Sequence, residues 1–300
     1  MTNPSRSGTF GTGGVDNGFS VTMRLSHLAL LPLLFATAEA HAVVRGAVAR
    51  DPNGIRGSVV RVESSRGELC SGAVIAPDLV LTAAHCVTDR AQYRVVAVDR
   101  RFRPRTVRAV AAAMHPAFVP GTTPRTQPGV DLALLKLEQP LGPDFMPLDP
   151  RGAGRVAKGQ PVDLAGFGVV GEGNKGSARV LRQTRLVSLG TLQVANRVVV
   201  VADEERLAQA PGAGACRGDS GGPIFAGGPG GYQLVGIVSW SSGAFMGRDR
   251  SACGGLTAVT PVADHASWIA ARAADLQRLS PGQAIAQPRA PSNAADWVGR

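Results

Sequence analysis

The segment Cys216–Pro223 reads Cys-Arg-Gly-Asp-Ser-Gly-Gly-Pro and constrains the fold more than any other part of the chain. Three glycines surround one serine, and glycine permits the tight turns that would leave the Ser220 hydroxyl exposed. A serine hydroxyl is a weak nucleophile near neutral pH unless a base and an orienting carboxylate lie beside it. If Ser220 is a nucleophile, the chain must therefore bring distant residues to it.

Two further motifs supply a base and a carboxylate. His85 follows Leu-Thr-Ala-Ala and precedes Cys86, while Asp131 opens the apolar run Leu-Ala-Leu-Leu-Lys-Leu. Such a run is typical of a buried strand with the carboxylate at its edge. Taken alone, the histidine could be a core residue and the aspartate a cap. The histidine precedes the aspartate by 46 residues, and the serine follows both.

These motifs resemble those of the trypsin/chymotrypsin-like serine proteases, and the resemblance runs from about Val43 to Ile269. It implies an all-β fold of two Greek-key six-stranded barrels (chymotrypsin-like) with a C-terminal α-helix. Short β-branched runs separated by turn residues agree with barrels. We expect the N-terminal barrel over 43–155, the C-terminal barrel over 156–262 and the helix over 263–279.

The N-terminal region predicts export. Residues 23–42 contain one basic residue, an apolar run too short to span a membrane, and the small-residue ending Ala-His-Ala, all typical of a signal peptide. Residues 1–22 are then an extension that is not native, or a disordered one, and 280–300 a disordered tail. We expect a secreted or periplasmic protein without stable membrane insertion.

Cleavage after Ala42 would expose Val43-Val44-Arg45-Gly46, which resembles the start of the mature proteases of this family. In the family the new α-ammonium pairs with the aspartate before the nucleophile, here Asp219. A buried carboxylate needs such a partner. We therefore expect an activation pair of Val43 and Asp219, formed when signal peptidase makes the cut.

The resemblance also assigns the chemistry. Ser220 would attack a peptide carbonyl, His85 would transfer the proton, and Asp131 would hold the imidazole, which is the triad mechanism known for this family. The backbone N–H groups of Gly218 and Ser220 would form the oxyanion hole. The implied partner is a protein or peptide substrate, with no cofactor and no metal.

Five residues are predicted to bind substrate. Gly214 takes the position at which tryptic members carry an aspartate, and without that anion a Lys or Arg side chain would be costly to desolvate. Cleavage after basic residues is therefore not expected. Ser239 and Trp240 resemble the strand that pairs with substrate, and Ser241 would narrow the pocket to suit small or medium apolar side chains. Arg217 would overhang the entrance, either favouring acidic substrate residues or remaining solvated.

Cysteine number and charge restrict the remaining classes. The four cysteines are an even number with no metal-ligand spacing, which suits two disulfides. The resemblance implies the pairs Cys70–Cys86 and Cys216–Cys253. The net charge is +10, but the arginines are scattered and no nucleic-acid motif accompanies them. We expect no nucleic-acid partner, a solvated basic surface and a monomer.

Two other classes of protein share part of this pattern. A catalytically idle protease homologue could act as a binding module, although this chain retains His, Asp and Ser. An α/β-hydrolase esterase shares the pattern Gly-x-Ser-x-Gly with Gly218–Gly222. In that class, however, the histidine follows the serine. The short spacing between motifs and the few disulfides resemble bacterial proteases, which is an argument by analogy.

Overall fold

A computed structural model gives the structure of the protein. It describes residues 43–279 apart from 52, 89–90, 229–230 and 247–250. The expected extension, signal peptide and tail, at 1–22, 23–42 and 280–300, lie outside the described residues.

Six antiparallel strands form a first closed barrel in the order β2-β3-β4-β7-β6-β5. Its strands are rich in valine, alanine and leucine, and β7 is buried along its whole length, as its apolar sequence predicts. The strands are β2 (Val59–Ser64), β3 (Leu69–Ala76), β4 (Leu79–Thr82), β5 (Tyr93–Val98), β6 (Pro104–Met114) and β7 (Ala133–Leu137).

A second barrel follows in the order β9-β10-β13-β12-β11-β8, and pairing of β8 with β9 closes it. Its strands are β8 (Pro161–Gly166), β9 (Arg182–Gln193), β10 (Arg197–Ala202), β11 (Pro223–Ala226), β12 (Gln233–Ser241) and β13 (Thr257–Pro261). The short strand β1 (Ala47–Val48) pairs with β9, so the chain contacts the second barrel before it builds the first. The predicted fold class is confirmed.

The helix α1 (Ala266–Gln277) follows a 3-10 turn at Val262–His265, so the α-helix begins three residues later than the sequence predicts. Its buried residues Ile269 and Leu276 join the apolar core of the first barrel. The helix therefore ties the end of the second barrel to the first. Within the described residues, no helix has the length and apolar character needed to cross a membrane.

Candidate active site

His85 and Asp131 are joined by two hydrogen bonds. His85 lies in a 3-10 turn, Ala84–Val87, directly after β4, and Asp131 lies just before β7. The two strands are antiparallel neighbours, and Thr82 faces Ala133. His85 Nδ1 is 2.8 Å from Asp131 Oδ2, and the His85 backbone N–H donates to Oδ1 at 3.0 Å. This double contact fixes the ring relative to the carboxylate.

Asp131 is fully buried and receives a third hydrogen bond, from Ser239 Oγ at 2.6 Å. Burial by itself raises the pKa of the Asp131 carboxyl. The charge of His85 and the hydrogen bonds from His85 and Ser239 outweigh burial and hold that pKa below its ordinary value. The carboxylate is therefore ionised at neutral pH. Ser239, which the sequence assigned to substrate binding, also orients Asp131 from the second barrel.

Two disulfides hold the loops that carry His85 and Ser220. Cys70 on β3 is bonded to Cys86, next to the histidine, and Cys216 is bonded to Cys253. His85 Nε2 lies 3.7 Å from Cys86 Sγ. Cys70, His85 and Cys86 group as metal ligands do, but both sulfurs are used in the disulfide. The grouping therefore does not make a metal site.

Ser220 lies where the two barrels meet. The Ser71 backbone N–H, on β3, donates to the Ser220 carbonyl oxygen at 2.8 Å. Gly221 has φ +80°, and a Cβ at this position would collide with Thr82 Oγ1 and the Ser71 carbonyl oxygen. Thr82 lies three residues before His85. The loop that carries Ser220 thus packs against the segment that leads to His85. Among the described residues, no hydrogen bond joins Ser220 Oγ to His85 Nε2.

Two backbone N–H groups beside Ser220 are available for a ligand. Among the described residues, neither Gly218 N–H nor Ser220 N–H donates to a protein acceptor, whereas Asp219 N–H donates to the Cys216 carbonyl at 3.1 Å. The Arg217 carbonyl accepts from Val169 N–H at 2.9 Å. Because the peptide group is planar and trans, Gly218 N–H points the opposite way. Gly218 has φ +94°, a conformation that favours glycine.

Asp219 is fully buried under two close-packed glycines. Its Oδ1 accepts from Gly168 N–H at 2.8 Å and its Oδ2 from Cys216 N–H at 2.9 Å. A Cβ on either Gly166 or Gly168 would collide with this carboxyl. Burial raises the pKa of Asp219 to about 7, against the lowering effect of the two hydrogen bonds and of the Arg182 charge. The carboxyl thus lies in a site that favours a cationic partner.

The segment that begins at Val43 is docked against the Ser220 loop. Val43 is fully buried in the core of the second barrel. Val44 N–H donates to the Gly214 carbonyl at 2.9 Å, and Gly214 N–H donates back at 3.3 Å. Gly214 and Asp219 belong to the same loop. No hydrogen bond joins Val43 to Asp219 among the described residues, so the activation pair stays a prediction.

A cavity of about 870 Å³ opens beside Ser220 and has no acidic side chain among its described lining residues. The charged residues that line it are Arg125 and Arg217, and Trp240 contributes an aromatic wall. Arg217 forms an ion pair with Glu172 at 2.8 Å and remains largely exposed. The Glu172 carboxylate therefore offsets the charge of Arg217.

Of two residues predicted to bind substrate, Ser241 lines this cavity and Gly214 is not among its described lining residues. Gly214 is buried, and a Cβ there would lie 3.5 Å from both Gly255 O and Thr257 Oγ1. Ser241 Oγ donates to the Ala252 carbonyl at 2.5 Å and so joins two walls of the cavity. The effects of Ser241 on pocket width and of Gly214 on the preference for basic side chains stay predictions.

Sequence reasoning missed two residues of the site. Ser71 Oγ donates to the Gly218 carbonyl at 2.9 Å and accepts from Phe167 N–H at 2.9 Å, which links the first barrel to the nucleophile loop. Arg125 Nη2 donates to the Ser241 carbonyl at 2.8 Å. These contacts join residues 96 to 147 positions apart, and no local pattern in the sequence indicates them.

Two closed β-barrels with a His–Asp pair on one and a glycine-flanked serine on the other define a chymotrypsin-like protein. A sequence model of the trypsin family matches residues 44–269, so the chain belongs to that family. Serine-type endopeptidase activity is the activity of this family.

Relatives found by sequence similarity support this family assignment. Human granzyme M is 33% identical over 225 residues, with 69% of this chain and 80% of the relative covered. Mouse serine protease 56 is 31% identical over 223 residues, but this chain spans only 36% of its length. Drosophila melanogaster trypsin iota is 27% identical over 192 residues, with 60% of this chain and 71% of the relative covered.

Solved structures show the same fold. The structure of human heparin binding protein has a TM-score of 0.58 and 22% sequence identity, and the match covers 80% of this chain and 100% of that one. An atomic-resolution structure of HBP has a TM-score of 0.59 and 23% identity, with the same coverage. At these identities the similarity shows the fold alone.

Proposed function

We propose that the chain hydrolyses peptide bonds through an acyl-enzyme, with Ser220 as nucleophile, His85 as general base and acid, and Asp131 as the orienting carboxylate. The observation that carries this proposal is the buried, ionised Asp131 hydrogen-bonded to His85 Nδ1 at 2.8 Å. That bond requires Nδ1 to carry the proton. Nε2 is then the basic nitrogen, on the side of the ring away from Asp131.

In the first step Ser220 Oγ attacks the carbonyl carbon of the substrate, and its proton passes to His85 Nε2. The tetrahedral intermediate collapses when Nε2 gives that proton to the leaving amine, which leaves an ester on Ser220. Water then attacks the ester by the same route, and the acid product and free Ser220 result. The distance between Ser220 Oγ and His85 Nε2 must shorten when substrate binds. In many enzymes such a catalytic hydrogen bond is long in the free enzyme and tightens only in the complex.

The oxyanion of the intermediate would accept hydrogen bonds from Gly218 N–H and Ser220 N–H. These two groups support the assignment because neither donates to a protein acceptor in the described residues, whereas their neighbour Asp219 does. In comparable enzymes, one such donor contributes about 3 kcal/mol to transition-state stabilisation.

The preferred residue on the acyl side of the scissile bond would be small or medium and apolar. The cavity beside Ser220 has no acidic residue among its described lining residues, and Gly214 is uncharged. A bound Lys or Arg side chain would lose its hydration without gaining a counter-charge. The bond from Ser241 to Ala252 restricts the width available to large side chains.

Export and activation would be one event. Removal of residues 23–42 as a signal peptide would create an α-ammonium at Val43, and the buried, docked position of Val43 and Val44 supports this hypothesis. The new cation would pair with Asp219, whose burial favours a cationic partner. No separate zymogen stage would then exist.

A test is covalent labelling of the chain that begins at Val43 with a peptidyl diphenyl phosphonate carrying a small apolar side chain. We expect one equivalent of label on Ser220, detected by intact mass, together with cleavage of a matching peptide. Ser220→Ala should neither be labelled nor cleave. Correctly folded protein that is neither labelled nor active would overturn the proposal and favour the catalytically idle binding module.

A further inference from the structure

Three arginine side chains surround one nearly buried carboxylate on the outer face of the first barrel. Arg61 Nε lies 2.7 Å from Glu63 Oε1, Arg94 donates from Nε and Nη2 to Oε2 at 2.7 Å, and Arg179 Nε lies 3.3 Å from Oε1. The Glu63 side chain is 7% exposed. We call Arg61, Glu63, Arg94 and Arg179 the basic cluster.

The basic cluster carries two more positive than negative charges. One carboxylate cannot neutralise three guanidinium groups, and burial together with the charges of Arg179 and Arg94 lowers the pKa of Arg61. The Arg94 and Arg179 side chains are 62% and 61% exposed, so they retain N–H donors that face solvent. A guanidinium group has five donors in a fixed fork, which suits a second carboxylate.

The cluster lies next to the oxyanion hole. Glu63 on β2 is paired with Leu69 on β3, and paired residues present their side chains on the same face of a sheet. Leu69 in turn packs against Gly218, because a Cβ on that glycine would lie 3.2 Å from Leu69 Cδ2. Leu69 thus connects the strand position of Glu63 with the loop proposed to hold the oxyanion.

A second path links the cluster to the nucleophile. Arg61 is paired with Ser71, which donates to the carbonyl oxygens of Gly218 and Ser220. Arg179 N–H donates to the Phe167 carbonyl. Arg179 has φ +72°, a left-handed conformation that is unfavourable for an L-residue. The hydrogen bond to Phe167 and the side-chain contact with Glu63 hold Arg179 in this strained conformation.

The cavity that would take the acyl side of a substrate lies elsewhere. It is lined by Trp240, Ser241 and neighbouring residues, and no member of the basic cluster is among its described lining residues. A peptide whose acyl part fills this cavity and whose scissile carbonyl lies at Ser220 must continue past the Leu69 side. The residues that follow the scissile bond therefore approach the cluster.

We propose that the basic cluster is a subsite for an acidic side chain of the substrate, on the leaving-group side of the scissile bond. This inference rests on the proposed peptidase function. The incoming carboxylate accepts hydrogen bonds from the exposed N–H groups of Arg94 and Arg179 and balances the charge that Glu63 leaves unpaired. Arginine suits this task better than lysine because its planar fork binds a carboxylate through two bonds.

The experiment uses fluorogenic peptides that are identical on the acyl side and carry Glu or Gln at the first, second or third residue after the scissile bond. With the chain that begins at Val43, we expect kcat/KM to be about fivefold higher for Glu than for Gln at one of these positions, the size of a modest surface ion pair. The preference should shrink in 0.5 M salt, because exposed charges are then strongly screened.

Arg94→Gln combined with Arg179→Gln should abolish the preference, and Arg272→Gln, an exposed arginine of helix α1, is the control that should retain it. Both cluster residues are mainly exposed, so the double variant should fold. Equal rates for Glu and Gln in the unmodified chain, or a preference that survives the double substitution, would overturn the subsite.

A binding measurement separates failure of the subsite from failure of the proposed function. Ser220→Ala is titrated with a labelled peptide that corresponds to the leaving-group product and carries Glu or Gln. Tighter binding of the Glu peptide that depends on Arg94 and Arg179 supports the subsite even if nothing is cleaved. Binding of a sulfated oligosaccharide at these arginines, with no preference for the Glu peptide, would overturn it in favour of a polyanion site.

Discussion

Val44 and Gly214 exchange two main-chain hydrogen bonds, at 2.9 Å and 3.3 Å, so the start of the described chain is held against the loop that leads to Ser220. Val43, one residue earlier, is fully buried. In the same loop, Asp219 carries a carboxyl whose pKa is raised to about 7 by burial. These three features support the proposed pairing of an α-ammonium at Val43 with Asp219.

The first prediction concerns the pH dependence of stability. Because the folded pKa of Asp219 is above its ordinary value, its contribution to stability is full below about pH 4 and is lost as pH rises through about 7. An α-ammonium at Val43 should offset that loss. The free energy of unfolding is measured by chemical denaturation from pH 4 to 8 for a chain starting at Val43 and a chain starting at Ala42. At pH 4 the two values should be nearly equal. At pH 8 the chain starting at Val43 should be about 3 kcal/mol more stable.

Both chains should carry Ser220→Ala to prevent self-cleavage. Adding Asp219→Asn should remove the difference between them at every pH, since no carboxyl then remains to pair. Equal pH profiles for the two chains with Asp219 intact would show that the amino group at Val43 does not reach it.

The second prediction tests the link between the barrels. Ser71→Ala removes the hydroxyl that holds the Gly218 carbonyl and leaves Phe167 N–H without its acceptor. We expect a loss of about 1–3 kcal/mol in stability, because a buried donor is left unpaired. We also expect a fall in kcat of about tenfold with little change in KM, because the oxyanion donor on Gly218 is less well fixed.

Ser58→Ala is the matched control for Ser71→Ala. Ser58 is equally buried and its Oγ donates to the Met146 carbonyl at 2.6 Å, but it does not contact the nucleophile loop. It should lower stability by a similar amount and leave kcat unchanged. A similar fall in kcat in both variants would mean that Ser71 acts on activity only through general stability.

The sequence predicted the parts of the site that depend on local pattern. The glycines around Ser220, the apolar run after Asp131 and the helical spacing near Ile269 each have a local physical cause, and the resemblance to a known family added the order of the barrels. Ser71 and Arg125 could not be predicted this way. Their partners are 147 and 116 residues away, and such contacts depend on how two barrels dock rather than on any neighbouring residue.

The third prediction concerns acid sensitivity. His115 packs on His265 and Trp268, and burial, with a smaller effect of the charge of His265, lowers the pKa of His115 to about 4. The unfolded chain binds this proton near pH 6.5 and the folded chain does not. The resulting stability is therefore complete above pH 6.5 and is lost as pH falls towards 4. Urea midpoints over pH 4–7 should show this decline.

His115→Asn keeps an acceptor near Ala117 N–H, which now donates to His115 Nδ1 at 3.2 Å, but does not titrate in this range. The decline between pH 6.5 and 4 should be shallower in this variant, with stability at pH 7 little changed. A slope equal to that of the unmodified chain would assign the acid sensitivity to other groups, of which His265 is the nearest.

The fourth prediction concerns substrate size. Ser241→Gly removes the hydroxyl that bonds to the Ala252 carbonyl and widens the cavity between these walls. We expect the ratio of kcat/KM for a phenylalanine peptide to that for an alanine peptide to rise about tenfold, since a few methylene groups in a pocket change selectivity on this scale. The ratio is measured within one enzyme preparation, so differences in active concentration cancel. An unchanged ratio would show that Ser241 does not limit the pocket.

The last prediction concerns a contact across the cleft. Trp240 and Ser241 pair with β13 on one edge of β12, while β11 pairs with β12 only as far as Ile237. In the proposed function, an extended substrate strand pairs with this edge of β12 beyond the end of β11. Arg125 takes one main-chain group of β12 by donating to the Ser241 carbonyl at 2.8 Å.

Arg125→Ala should release this carbonyl. We expect kcat/KM to rise about threefold to tenfold for peptides extended by three or more residues on the acyl side, as one competing hydrogen bond is removed. The rate with a short acyl ester should be unchanged, because such a substrate has no main-chain group that extends to the Ser241 carbonyl. Arg103→Ala, which removes an exposed arginine paired with Asp99, is the control for the loss of charge. Equal effects on the long and short substrates would mean that Arg125 acts by its charge and not by covering the strand edge.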